Sequence, residues 1–224
     1  MWSFGIHAPA WANALILGAL AALISPLLAK LADYLPGQID DTLPAPHPEG
    51  RLRLRCLFGL LCALPAAACG WRYGLTYAGL AATLFVLMMV TLAWIDARTG
   101  LLPDTLTLPL LWLGLLANLE HTFAMLPDAV IGAVAGYLFF WLIYQVFLML
   151  TGREGLGFGD FKLLAALGAW LGWAALPSIV LIASISALVI TLLRRWRSGA
   201  DMNQALHYGP YLAVAGIVQL FWSY

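Results

Sequence analysis

The chain has 224 residues, 63% of them hydrophobic and only 10% charged, and its formal net charge is zero. A water-soluble protein of this size has no means of hiding so much apolar surface in one core, whereas a bilayer covers it. With no net charge, bulk electrostatics point to neither a nucleic-acid partner nor an acidic substrate.

Uncharged runs occupy 1–29, 56–71, 73–95, 105–119, 129–150, 163–193 and 202–224, and a membrane-spanning helix needs about 20 mainly apolar residues. The first run lacks the basic start of a cleavable signal peptide, because its first cation, Lys30, follows the apolar stretch. It is expected to be an uncleaved first span, closed by Asp33. Next comes a polar stretch, 34–55, with Pro36, Pro44, Pro46 and Pro48, expected as an extended cytoplasmic loop. The run 56–71 is short and carries Pro65, which should bend it. It also holds the three cysteines, Cys56, Cys62 and Cys69, whose spacing matches neither a CxxC pair nor a zinc knuckle. The runs 73–95 and 129–150 have spanning length, and 105–119 is again short. As one helix, 163–193 would rise about 46 Å at ~1.5 Å per residue, too much for a hydrocarbon core of roughly 30 Å. It is flanked by Lys162 at one end and by Arg194, Arg195 and Arg197 at the other. Two short crossings turning near Gly172–Pro177 would put both ends on one side.

That reading gives an all-α polytopic integral membrane protein of about eight transmembrane helices with its N-terminus outside. Cytoplasmic segments then fall near 30–55, 96–104, 151–162 and 194–207, and hold ten of the eleven cations; Arg72 alone is external. This is the asymmetry that the positive-inside rule requires. A seven-span chain would place the Arg194–Arg197 cluster outside. Gly132 and Gly136, and likewise Gly168 and Gly172, have the spacing of close helix–helix packing.

Charged side chains at membrane level are expensive and mark function by default. Asp40, Asp41, Glu49 and Asp201 lie in polar loops, and Glu120 and Asp128 in an external turn. Three carboxylates remain beside spans on the cytoplasmic side: Asp96, Asp104 and Asp160. Asp96 follows 73–95 directly, and Asp160 ends Gly155-Leu-Gly157-Phe-Gly159-Asp160 and opens the next span. Two carboxylates from separate helices can share one proton, the ionised one acting as base toward water and the protonated one polarising a carbonyl. Such a pair titrates as a unit. Gly157 and Gly159 leave the backbone free to adopt unusual φ values and to meet another backbone closely, as an extended peptide substrate would require. The structural alternative makes Asp160 a helix N-cap and pairs Asp96 with Arg98 or Lys162.

The segment Asp96-Ala-Arg-Thr-Gly-Leu-Leu-Pro103-Asp104-Thr-Leu-Thr-Leu-Pro109-Leu-Leu-Trp112, continuing to Asn118, closely resembles the first motif of the type IV prepilin leader peptidases. Glu154-Gly-Leu-Gly-Phe-Gly-Asp160-Phe-Lys162, continuing to Trp170, resembles their second, the GxGD motif. The resemblance covers roughly 90–195. It implies an intramembrane aspartic endopeptidase of the bacterial inner membrane. Its partners would be the lipid bilayer and a prepilin or pseudopilin helix, whose basic leader it removes at the cytoplasmic face. By the motif match the catalytic pair falls on Asp96 and Asp160, with Asp104, Lys162, Gly157 and Gly159 in support. Full-length members carry paired CxxC motifs that bind zinc in the loop after the first span, and many methylate the new N-terminus from S-adenosylmethionine. Here that loop, 34–55, is short and has no cysteine. The resemblance is therefore to a short branch without metal, in which S-adenosylmethionine enters only if methyl transfer persists. The chain is expected to be a single membrane domain over 1–224, with N-terminal spans in 1–95, the peptidase region in 96–195 and a last loop and span in 196–224.

Other protease chemistries lack their residues, since neither HExxH nor GxSxG occurs. A proton-coupled transporter would use intramembrane carboxylates as well, but no matched pair of broken helices marks two related halves. An inactive assembly factor of a secretion or pilus system would keep the motifs without turnover.

Overall fold

A computed structural model describes residues 9–39, 51–152, 157–198 and 207–222. Asp40, Asp41, Glu49, Glu154, Gly155 and Asp201 lie outside the described residues, as do 40–50 of the loop expected at 34–55; its described ends are helical and not loop, 34–39 closing the helix Ala10–Ile39 and 51–55 opening the helix Arg51–Tyr73. Among the described residues there are eight α-helices, two single 3₁₀ turns and no strand. Five helices are long and apolar enough to cross a bilayer. Their outward faces carry Leu23, Leu27, Met149, Leu150 and Leu188, all exposed, as expected for a surface that lipid covers. The chain is an all-α polytopic membrane protein. It divides into two compact units, Met1–Thr99 and Gly100–Tyr224.

The first unit holds α1 (Ala10–Ile39), α2 (Arg51–Tyr73) and α3 (Tyr77–Thr99). Helix α1 runs past Lys30 and through Pro26 and Pro36, further than the first charge implied. The reason is a buried stripe of small residues, Asn13, Leu17, Gly18, Ala21, Ser25, Ala29, Ala32 and Pro36, at helical spacing along the whole length. Small side chains let backbones approach; a Cβ at Gly18 would sit 3.1 Å from that of Ala67, and one at Gly59 3.2 Å from Ser25 Oγ. Lys30 itself is exposed, so its charge does not end the helix. Helix α2 is continuous through Pro65 and begins at Arg51. Helix α3 is 67% buried across its apolar window, against 17–28% for the other four long helices.

The second unit holds α4 (Asp104–Ala117), α5 (Leu126–Thr151), α6 (Phe158–Leu171), α7 (Leu176–Ser198) and α8 (Gly209–Trp222). Helix α6 is its centre, touched by α4, α5, α7 and α8. Every residue from Leu163 to Leu171 is buried, the pattern of a helix apolar on all sides. The break expected near Gly172–Pro177 is present: α6 stops at Leu171, a 3₁₀ turn spans Trp173–Ala175, and α7 starts at Leu176. Gly172 makes the turn with φ +78, a conformation a side chain would strain. It is a turn residue that also packs closely, since a Cβ there would lie 3.2 Å from that of Ala124, just before α5. Gly132, Gly136 and Gly168 do pack helices: a Cβ at Gly168 would strike the Gly132 carbonyl, and one at Gly136 would lie 2.6 Å from the Leu164 carbonyl oxygen. Helices α4, α6 and α8 have 14 residues each, about 21 Å at 1.5 Å per residue.

Candidate active site

Asp96 belongs to the first unit. It lies in the last turn of α3, inside the helix and not after it, and is only 4% exposed. Arg98, two residues on, does not face it, because positions i and i+2 point to different sides of a helix. The Arg98 guanidinium instead donates to Asp33 of α1 at 2.8 Å and lies over the Trp94 ring, 5.9 Å from its centroid. Trp94 in turn meets Phe58 of α2 edge-on at 5.2 Å. The last turn of α3 is thereby tied to both other helices of its unit.

Asp160 belongs to the second unit and is 8% exposed. It is the third residue of α6; Gly157 is the N-cap, so Asp160 does not cap the helix itself. Its amide donates to the Gly157 carbonyl at 3.1 Å. An aromatic collar surrounds this turn. Phe158 and Phe161 lie 5.4 Å apart, and both meet Tyr144 of α5, tilted at 5.1 Å and edge-on at 5.8 Å. Phe140 of α5 joins Phe161 to Tyr208, which immediately precedes α8. The Tyr208 hydroxyl is within electrostatic reach of Asp160 and shares a 2.9 Å hydrogen bond with Ser184 of α7. Sequence reasoning missed Tyr144 and Tyr208, since an aromatic residue in an apolar helix reads only as packing.

The supporting residues divide. Lys162 donates to both carboxylate oxygens of Asp104, each at 2.6 Å, so neither pairing in the structural alternative, Asp96 with Arg98 or with Lys162, describes where these two cations are engaged. Asp104 opens α4, with its side chain 54% exposed. Gly159 is needed for space, because a Cβ there would fall 2.6 Å from Leu102 Cβ. Gly157 has no such constraint: its φ of −75 and ψ of 139 are ordinary extended values open to any residue. The unusual backbone expected at the two glycines is absent, and the close approach is to a side chain.

Asn118 was not singled out and organises the far end of α6. Fully buried, it donates to the carbonyls of Ala169 and Trp170, both at 2.9 Å. It also accepts from the amides of Phe123 and Ala124 at 2.9 and 3.0 Å. Trp170 donates to the Leu110 carbonyl at 2.8 Å, and Gly114 leaves room for its indole. These bonds join α4 to α6 at the ends opposite Asp104 and Asp160.

The three cysteines do not form a zinc site. Cys56 is exposed while Cys62 and Cys69 are buried, and on one straight helix they are spread over about 20 Å at ~1.5 Å per residue. Among the described residues no three His, Cys, Asp or Glu side chains are grouped to hold a metal ion.

Comparison with known proteins gives the family. Residues 83–192 match the type IV leader peptidase family. A prepilin leader peptidase/N-methyltransferase of Dickeya chrysanthemi is 51% identical, over 78% of this chain and 71% of its own length. Proteins of the same name from Pectobacterium carotovorum subsp. carotovorum and Burkholderia pseudomallei are 53% and 51% identical over 69% and 67% of this chain. Of those two the chain spans only about half the length, 55% and 49%. No solved structure matches. The chain belongs to the type IV leader peptidase family.

Proposed function

We propose that this chain is an aspartic endopeptidase that removes the basic leader from type IV prepilins or type II secretion pseudopilins, at the cytoplasmic face of the bacterial inner membrane, with Asp96 and Asp160 as the catalytic pair. One observation carries the assignment. Among the described residues these are the only two buried carboxylates; Asp33, Asp104, Glu120 and Asp128 are all partly or largely exposed. Burying a carboxylate away from water is costly, and an ionisable side chain at membrane level marks function by default.

The reaction follows from a shared proton. The ionised carboxylate takes a proton from water as its oxygen attacks the scissile carbonyl carbon, while the protonated carboxylic acid hydrogen-bonds to the carbonyl oxygen and gives up its proton to it. The tetrahedral intermediate collapses as the C–N bond breaks. The leaving nitrogen takes the proton gained from water, and the hydroxyl proton returns to the second aspartate, which restores the pair. No metal takes part in these steps. The names of the relatives include N-methyltransferase; this proposal assigns no residue to that transfer.

The test is leader cleavage by purified protein in detergent, using a prepilin with a basic leader. Cleavage should proceed in the presence of chelators and disappear in both Asp96→Asn and Asp160→Asn. A single variant that still turns over at the wild-type rate removes its residue from the pair, and a wild-type protein that cuts no co-encoded prepilin overturns the function. With S-adenosylmethionine added, the mass of the new N-terminus reports methyl transfer in the same experiment.

A further inference from the structure

Asp160 stands in the first turn of α6, where amide groups lack intrahelical partners and helices fray. A catalytic carboxylate must nonetheless be held to a fraction of an ångström. Two contacts bracket it in sequence. On one side Gly159 lies against Leu102, close enough that any Cβ at 159 would overlap the Leu102 Cβ at 2.6 Å. On the other, Lys162 holds both oxygens of Asp104 at 2.6 Å. Leu102 and Asp104 are two residues apart across Pro103, whose φ of −62 and ψ of 129 set an extended peptide immediately before α4. Lys162 and Asp160 leave the helix in different directions, because residues two apart point about 200° around its axis from one another.

We propose that Leu102–Asp104 is a clip that fixes the first turn of α6, with Lys162 and Asp104 as positioning residues and the bare Cα of Gly159 as the seat for Leu102. The pair orients the turn that carries Asp160 and takes no part in the bond-making steps. The idea rests on the peptidase reading for its kinetic consequence, though not for its structural one. Misplacing a catalytic group by about an ångström lowers turnover by up to ~100-fold.

Three variants test this in the full-length protein, by prepilin cleavage and by amide hydrogen exchange over 157–165. Lys162→Met and Asp104→Asn should each lower kcat about 10- to 100-fold with KM little changed, and both should raise exchange in the first turn of α6. Lys162→Arg should keep most of the activity and the protection, because a guanidinium also meets a carboxylate with two donors. The double variant Lys162→Met/Asp104→Asn should be no worse than either single change. For the seat, Gly159→Ala should lose activity, Leu102→Gly should restore it, and Leu102→Ala, which keeps the offending Cβ, should not. Unchanged exchange in Lys162→Met and Asp104→Asn overturns the clip, whatever the kinetics show. So does a Lys162→Met defect that Asp104→Asn fails to reproduce. If the wild-type protein cuts no prepilin, the peptidase reading fails while the exchange data still decide the clip.

Discussion

The two units solve the same problem in different ways. Each buries one aspartate near a helix end and places a cation two residues further along, Arg98 after Asp96 and Lys162 after Asp160. In neither is that cation spent on its neighbour: Arg98 goes to Asp33, Lys162 to Asp104. The difference lies in what the helix already supplies. Asp96 comes at the end of a 23-residue helix, so the whole buried length of α3 fixes its position. Asp160 is the third residue of a 14-residue helix, with no preceding turn to hold it. The first unit adds one ion pair to a helix already secured, and the second adds an ion pair and a steric seat to a turn that would otherwise fray. The helix ends also differ in field. The helix dipole favours negative charge at the start of α6 and opposes it at the end of α3, each by some tenths of a kcal/mol to about 1.

The largest effect expected is loss of chemistry. Asp96→Asn and Asp160→Asn should each reduce kcat/KM for leader cleavage by at least about 10³-fold, and the double variant should be no slower than the singles, since groups acting as a unit are grossly non-additive. Equal losses would show the two units contributing equally despite their different anchoring.

Next in size is stability in the second unit. Asn118→Ala removes the one buried side chain that serves two carbonyls and two amides, and a lost buried hydrogen bond costs about 1–3 kcal/mol. Thermal unfolding in detergent should register a loss of at least about 3 kcal/mol, with cleavage by the surviving folded fraction only modestly reduced. Gly168→Ala drives its methyl into the backbone of Gly132 and Ala133 on α5. No rotamer change relieves that clash, so a destabilisation of about 1–3 kcal/mol is expected.

Much of this architecture was legible in the sequence because a bilayer imposes one coarse rule, that long uncharged runs become helices. The same arithmetic of length and flanking charge divided 163–193 correctly at Gly172–Pro177. It failed at α1, because Lys30 looks like a helix end and the signal that continues the helix is a stripe of small residues, visible only when a partner helix is known. Asp96 and Asp160 were legible because their segments resemble motifs. Their surroundings were not. Asn118 is polar but lies in an apolar run without any local pattern, and Tyr208 is separated from Asp160 by 48 residues of sequence. The glycines before Asp160 were read through backbone freedom, yet only Gly159 is constrained, by a leucine 57 positions away. Long-range packing of this kind leaves no trace in local spacing.

The smallest effect is the sharpest test of the contrast between the units. Arg98 and Asp33 are partly open to solvent, with side chains 37% and 24% exposed, and an ion pair so placed is worth no more than about 0.5 kcal/mol after screening. Arg98→Met keeps the aliphatic stem near Trp94 and removes the charge. Asp33→Asn leaves a neutral acceptor in its place. Because α3 is held by its own burial against α1 and α2, both variants should cleave prepilin within about threefold of wild type, and 0.5 M salt should narrow even that gap. The equivalent changes at Lys162 and Asp104 remove the anchor of an unsupported turn and should cost an order of magnitude more in kcat. If Arg98→Met were as damaging as Lys162→Met, helix length could not explain how the aspartates are held, and the ion pairs would share one role in both units.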